Sequence, residues 1–183
     1  MRRTLLVLVG IALMGLATGA AAQSVTPLRL GVALGTSFGN NSWSPQGAHA
    51  TVSLTSHDVG SRFGIRVEAL FDSRERVRRH MLNFPEAWIR EATIGLTVNG
   101  VYRVWGRRTG LYTLVGLGVY HRWSEYEPTT GEGVVSRSSA SGLSANAGIG
   151  FDFKAFGREL FAESRLYIGP FENRVPLSLG IRF

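Results

Sequence analysis

The chain has 183 residues, 20 Lys and Arg against 13 Asp and Glu, a formal charge of +7 and no cysteine. Without cysteine it has no disulfide framework, no thiolate metal site and no thiol nucleophile. The basic balance suggests an anionic partner; for an exported protein that means anionic lipid or lipopolysaccharide phosphate rather than nucleic acid.

Arg2 and Arg3 precede an apolar run from Leu5 to Ala17, and Ala20, Ala21 and Ala22 supply small residues before Gln23. This is the pattern of a signal peptide cleaved after Ala22. The run falls short of the ~20 apolar residues of a transmembrane helix. The expected domains are a signal peptide over 1–22 and one mature domain over 23–183, and loss of Arg2 and Arg3 lowers the charge from +7 to +5.

From there the chain alternates apolar and polar residues, the period of a strand, with no helical periodicity. Strands are predicted over Pro27–Gly39, Gly47–His57, Ser61–Ser73, Arg90–Val104, Gly110–Trp123, Gly142–Phe153, Glu159–Gly169 and Val175–Phe183. In the first, Leu28, Leu30, Val32, Leu34 and Phe38 share one face, opposite Arg29, Gly31, Ala33, Gly35 and Ser37. In the last, Val175, Leu177, Leu179, Ile181 and Phe183 share a face. The connections after strands two, four and six are short, and Asn40–Gln46, Arg74–Trp88 and Ser124–Ser141 are longer. The last connection, Pro170–Arg174, is an exception and is short; the rest, short turns at one rim and longer loops at the other, fit a transmembrane barrel.

Three segments carry a family likeness: Tyr112–Tyr120 with its aromatic–glycine pattern, Leu143–Phe153 with Asn146-Ala-Gly-Ile-Gly150, and Leu160–Arg165 followed by Pro176–Phe183. With the leader and the terminal Phe183, the chain resembles the small eight-stranded bacterial outer-membrane β-barrels of the OmpA transmembrane-domain and OmpX type. The resemblance implies an all-β fold, an eight-stranded antiparallel up-and-down transmembrane β-barrel. It also implies insertion by the outer-membrane assembly machinery reading Phe183, both mature termini in the periplasm, and a monomer in contact with lipid and lipopolysaccharide. A soluble barrel with the aliphatic face inward is the alternative; the glycines and charges of the polar face favour that face as the narrow interior.

The inward charges are the sharpest functional clue. Arg66, Glu68, Glu163 and Arg165 are expected to form an interior ion cluster, with Arg29, Arg62, Asp152, Glu159 and Arg182 toward the periplasmic end and Arg122 and Glu91 elsewhere on the same face. Buried charges must be paired, so the expectation is a side-chain-filled barrel with a structural or surface-binding role. A narrow ion or solute channel stands as the alternative, ahead of a lipid A-modifying enzyme and a soluble periplasmic binder. Arg74, Arg76, Arg78 and Arg79 form a basic loop suited to lipopolysaccharide phosphate or another polyanion. The four histidines lack metal-ligand spacing, and His121 with Ser124 and Glu125 lacks a complete nucleophile system. No catalytic residue, metal or cofactor is expected.

Overall fold

The computed structural model describes residues 28–39, 42–57, 61–78, 87–106, 109–128, 135–169 and 173–183. The predicted signal peptide and its boundary lie outside them. Among the described residues the elements are β1 (Leu28–Gly39), β2 (Ser42–His57), β3 (Phe63–Arg78), β4 (Ala87–Arg103), β5 (Gly110–Pro128), β6 (Ser136–Ala155), β7 (Arg158–Ile168) and β8 (Arg174–Arg182). Each strand pairs with its chain neighbours, and β1 pairs antiparallel with β8 to close an eight-stranded barrel.

The stagger of the barrel follows from its register. One cross-strand row runs from Arg29 through Thr55, Arg66, Asn99, Gly116, Asn146, Tyr167 and Arg174, and returns to β1 at Gly39, ten residues beyond its start. With ~3.3 Å per residue and ~4.8 Å between strands, that stagger tilts the strands by about 40°. A barrel of this size is filled by side chains.

The two faces are inverted relative to a soluble barrel. Leu34, Val115, Leu117, Leu143 and Leu179 are exposed on the outside, Leu117 at 70% and Leu143 at 75%. Arg66, Glu68, Glu163 and Arg165 are buried inside, with Arg66 only 1% exposed. Aromatics sit toward the outer rims: Phe71 and Trp123 at one, and Phe63, Trp105, Phe156 and Phe183 at the other. The turn between β6 and β7 is a two-residue hairpin in which Phe156 and Gly157 both take positive φ, 52° and 71°. That is the backbone of a type I′ turn, which favours Asn or Gly at the position Phe156 occupies.

At the rim away from the termini, five strands run further than alternation predicts, and β2 begins at Ser42 rather than Gly47. β3 continues to Arg78, β4 starts at Ala87, β5 reaches Pro128 and β6 starts at Ser136. Much of the predicted loops Arg74–Trp88 and Ser124–Ser141 is therefore strand. Beyond an apolar belt both faces of a strand meet water, so the polarity period that reveals a strand is lost. Cross-strand charges hold these extensions: Arg90 bonds Glu75 at 3.1 Å and Glu127 at 3.3 Å, and Arg137 bonds Glu125 at 2.9 Å. Between Ser136 and Ser144, β6 pairs with β5 alone, because its pairing with β7 begins at Ala145.

Candidate functional site: the charged lumen

β3 and β7 stand four places apart in a ring of eight, so their inward side chains face each other across the lumen. Alternation along β3 turns Arg66 and Glu68 inward, and along β7 Glu163 and Arg165. The structure brings these four together. Arg66 Nη1 donates to Glu163 Oε2 at 2.6 Å. Arg165 grips Glu68 with both terminal nitrogens, at 2.5 and 2.6 Å, and its Nε donates to Glu163. The two-pronged contact matches the planar guanidinium to the carboxylate.

Neutral groups join this layer. Tyr112 Oη donates to Glu163 Oε2 at 2.7 Å, Arg66 Nε donates to Thr55 Oγ1 at 3.2 Å, and the Arg66 guanidinium lies 5.3 Å from the Tyr112 ring centroid. Small residues make the room. A Cβ at Gly148 would sit 2.7 Å from Arg165 Cγ, and one at Gly150 would collide with the Tyr112 ring.

A second layer lies toward the rim that carries Leu28 and Phe183. Asp152 Oδ2 accepts from Arg103 Nη1 at 2.9 Å and from Arg182 Nη1 at 3.1 Å, and Oδ1 lies at ion-pair distance, 3.0 Å, from Arg182 Nη2. Arg182 also donates to Tyr112 Oη at 3.1 Å and lies over the Phe161 ring at 4.7 Å. Tyr112 thus joins the two layers. Nearer the same rim, Arg29 and Glu159 pair at 2.9 Å, about a quarter exposed.

A third layer lies at the other end around Asp72. It accepts from Ser37 and from Arg74 Nε at 3.3 Å, forms an ion pair with Arg174 at 3.4 Å, and has His49 Nδ1 at 3.2 Å. Arg122 pairs with Glu91 at 3.4 Å. The central layer balances two cations with two carboxylates; each flanking Asp faces two arginines.

Two sequence expectations are corrected. Arg62 is exposed and stands before the first residue of β3, not inside the lumen. Its carbonyl accepts the Arg103 N–H at 2.8 Å. On the lumen side, Arg103 and Arg182 occupy Asp152. Arg74 is not a loop residue open to a polyanion; it is a buried β3 side chain on Asp72. Arg76 and Arg78 continue β3 in register with Ile89 and Ala87; their side chains, and Arg79, lie outside the described residues.

Sequence reasoning missed Asp72, His49, Arg103, Arg174 and Tyr112 as members of the network. All sit at inward positions of their strands, so carrying the alternation two to four residues further finds the charged ones. His121 Nδ1 lies 2.7 Å from Ser141 Oγ, its partner on β6, with Trp123 packed edge-on at 4.5 Å, while Ser124 and Glu125 pair across the strands with Ser138 and Arg137.

No protein-family model matches the chain, and no curated protein matches it. Among solved structures it is similar to Ail, the attachment invasion locus protein of Yersinia pestis, solved with the heparin analogue sucrose octasulfate. That likeness has a TM-score of 0.48 and 14% identity over 85% of this chain and 96% of Ail. It is also similar to the N-terminal β-barrel domain of Pseudomonas aeruginosa OprF, with a TM-score of 0.48 and 12% identity over 85% of this chain and 97% of that one. A third is Neisserial surface protein A, with a TM-score of 0.46 and 14% identity over 85% and 94% of the two chains.

Proposed function

We propose that the chain is an integral, monomeric outer-membrane β-barrel with a side-chain-filled interior, acting as a structural or surface-binding protein rather than an enzyme. The inversion of its faces carries this reading: aliphatic side chains cover the outside while arginines and carboxylates are buried within. In water such an arrangement exposes the side chains that burial would stabilise; in lipid it satisfies both faces. Strand lengths support it. The nine residues of β8 rise about 22 Å at a ~40° tilt, close to the ~25 Å apolar band of such barrels. The 19 residues of β5 rise about 45–50 Å, so β3 to β6 stand beyond the band at the rim opposite the termini. With the termini in the periplasm, that four-stranded extension faces outward and is the surface available for binding. Outer-membrane lipid, lipopolysaccharide and the assembly machinery are the partners this reading requires.

Membrane fractionation with heat-modifiable gel mobility tests it. The protein is expected in the outer-membrane fraction, with a folded band that shifts on boiling. Recovery as a soluble periplasmic protein refutes the reading. Planar-bilayer recordings are expected to show no stable conductance, because the central layer closes the lumen; steady single-channel openings would transfer the assignment to a channel. Lipid A of identical mass with and without the gene is expected for a non-enzyme.

A further inference from the structure

At the rim that carries Leu28 and Phe183, β6 overhangs β5. Gly110 pairs with Asp152, while Phe153, Lys154 and Ala155 pair only with β7. The chain enters β5 from a turn in which Gly106 takes φ +78° and Gly110 takes φ +130°, angles that suit glycine. Between this turn and the overhang lies an open notch of about 480 Å³, lined by Trp105, Thr109, Phe151, Asp152, Phe153 and Lys154. That volume lies within the ~300–1,000 Å³ range of small-molecule clefts.

The notch has one cationic and one apolar side. Lys154 is exposed, and among the described residues it makes no ion pair. Its cross-strand neighbour Glu159 is held by Arg29 at 2.9 Å. Asp152 is the acid in the lining, and Arg103 and Arg182 hold it from the lumen side. Among the described lining residues Asp152 is thus already neutralised from the lumen side, and Lys154 is the charge left facing the notch. On the apolar side, the Phe151 and Phe153 rings stack with centroids 6.4 Å apart and planes 22° apart. Trp105 is 70% exposed beside them, offering an apolar ring and one N–H donor.

We propose that this notch binds one anionic glycerophospholipid of the leaflet at that rim. Its phosphate sits against Lys154 and Thr109, and an acyl chain lies along Phe151 and Phe153. Lysine binds phosphate as a point charge, and the stacked rings continue the exposed apolar face formed on β6 by Leu143, Ile149 and Phe151. A free phosphate would use the cation and leave the rings uncovered; a neutral lipid would use the rings and leave the cation unmatched. The site rests on the membrane-barrel reading, with the occupant drawn from the periplasmic leaflet.

The test is native mass spectrometry of the full folded chain in neutral detergent, titrated separately with phosphatidylglycerol, phosphatidylcholine and inorganic phosphate. Wild type is expected to retain one phosphatidylglycerol with about tenfold preference over phosphatidylcholine, the size of one charge-assisted contact. Lys154→Glu is expected to abolish the preference, Lys154→Arg to keep it, and Trp105→Ala to weaken retention of both lipids. Arg107 and Arg108, outside the described residues, stay unchanged in every variant. Equal retention of the two lipids, an unaltered preference in Lys154→Glu, or displacement of phosphatidylglycerol by inorganic phosphate would overturn the proposal. Insertion of the same proteins into vesicles is read separately by heat-modifiable mobility. Lost selectivity in an inserted barrel removes the notch alone, and failed insertion removes the membrane reading.

Discussion

Replacing Glu163 by glutamine keeps the shape of the side chain and removes the charge on which three donors converge. Arg66 Nη1 at 2.6 Å, Tyr112 Oη at 2.7 Å and Arg165 Nε all point at this carboxylate, which is 5% exposed. In the Glu163→Gln protein Arg165 keeps its two-pronged contact with Glu68, but Arg66 loses its carboxylate partner and is left with neutral contacts, an amide oxygen at best, Thr55 and the Tyr112 ring. Breaking a buried pair from one side costs about 3–5 kcal/mol, chiefly because the remaining charge stays buried. Removing that charge as well should return much of the loss. Glu163→Gln with Arg66→Met is therefore expected to be less destabilised than the sum of the single changes by about 1–3 kcal/mol. Urea unfolding in lipid vesicles, followed by tryptophan fluorescence and heat-modifiable mobility, gives the four free energies. Additivity within about 0.5 kcal/mol would show that the pair contributes no mutual stabilisation and that the central layer is not the network its geometry indicates.

The position of a charge should decide its cost elsewhere. Arg29→Ala, at a pair about a quarter exposed near the rim, is expected to cost less than about 1 kcal/mol by the same unfolding assay; a loss equal to that of Glu163→Gln would contradict the layering. Leu117→Arg, outward and 70% exposed, is expected to cost about 2–4 kcal/mol in lipid, while Ser139→Arg on the β6 extension stays within about 0.5 kcal/mol; equal costs would place the apolar belt elsewhere. Deleting Phe183, exposed at the end of the β8 apolar face, is expected to lower the folded fraction in outer membranes sharply, and wild-type assembly of the truncated chain would remove its role as an assembly signal.

Much of the lumen was legible because a strand has only two faces. Once alternation assigns Arg66 and Glu68 to one side, and Glu163 and Arg165 to the same side of a strand four places away in a ring of eight, their meeting follows from strand order. Individual pairings near the rims were less legible. Arg62 has the parity of an inward residue, yet it stands outside the strand, where solvation of its cation outweighs alternation. Arg74 reads as part of a basic run, yet strand pairing continues past it and turns it onto Asp72. The bridge from Glu163 through Tyr112 to Arg182 joins β7, β5 and β8. It depends on the ten-residue stagger, a property of the closed ring that no single segment carries.

That stagger also bears on why the interior is charged. A barrel in lipid cannot use the hydrophobic effect to tell core from surface, since an aliphatic side chain is as well accommodated outside as inside. A one-residue slip of β3 against its neighbours would turn Arg66 and Glu68 to the outside and Ile65, Val67 and Ala69 inward. In an all-apolar barrel the slip would change little. On the proposed membrane reading the slip would move two charges into hydrocarbon, with a lipid-facing Arg alone costing about 2–4 kcal/mol near mid-membrane, and in any setting it would strip both acid–base partners from β7. The two-fold contacts between β3 and β7 therefore oppose register errors on both strands at once. Their net contribution to stability can be modest while their contribution to a single register is large, and the extended β3–β6 sheet beyond the belt depends on that register to hold its own pairing of Arg90 with Glu75 and Glu127.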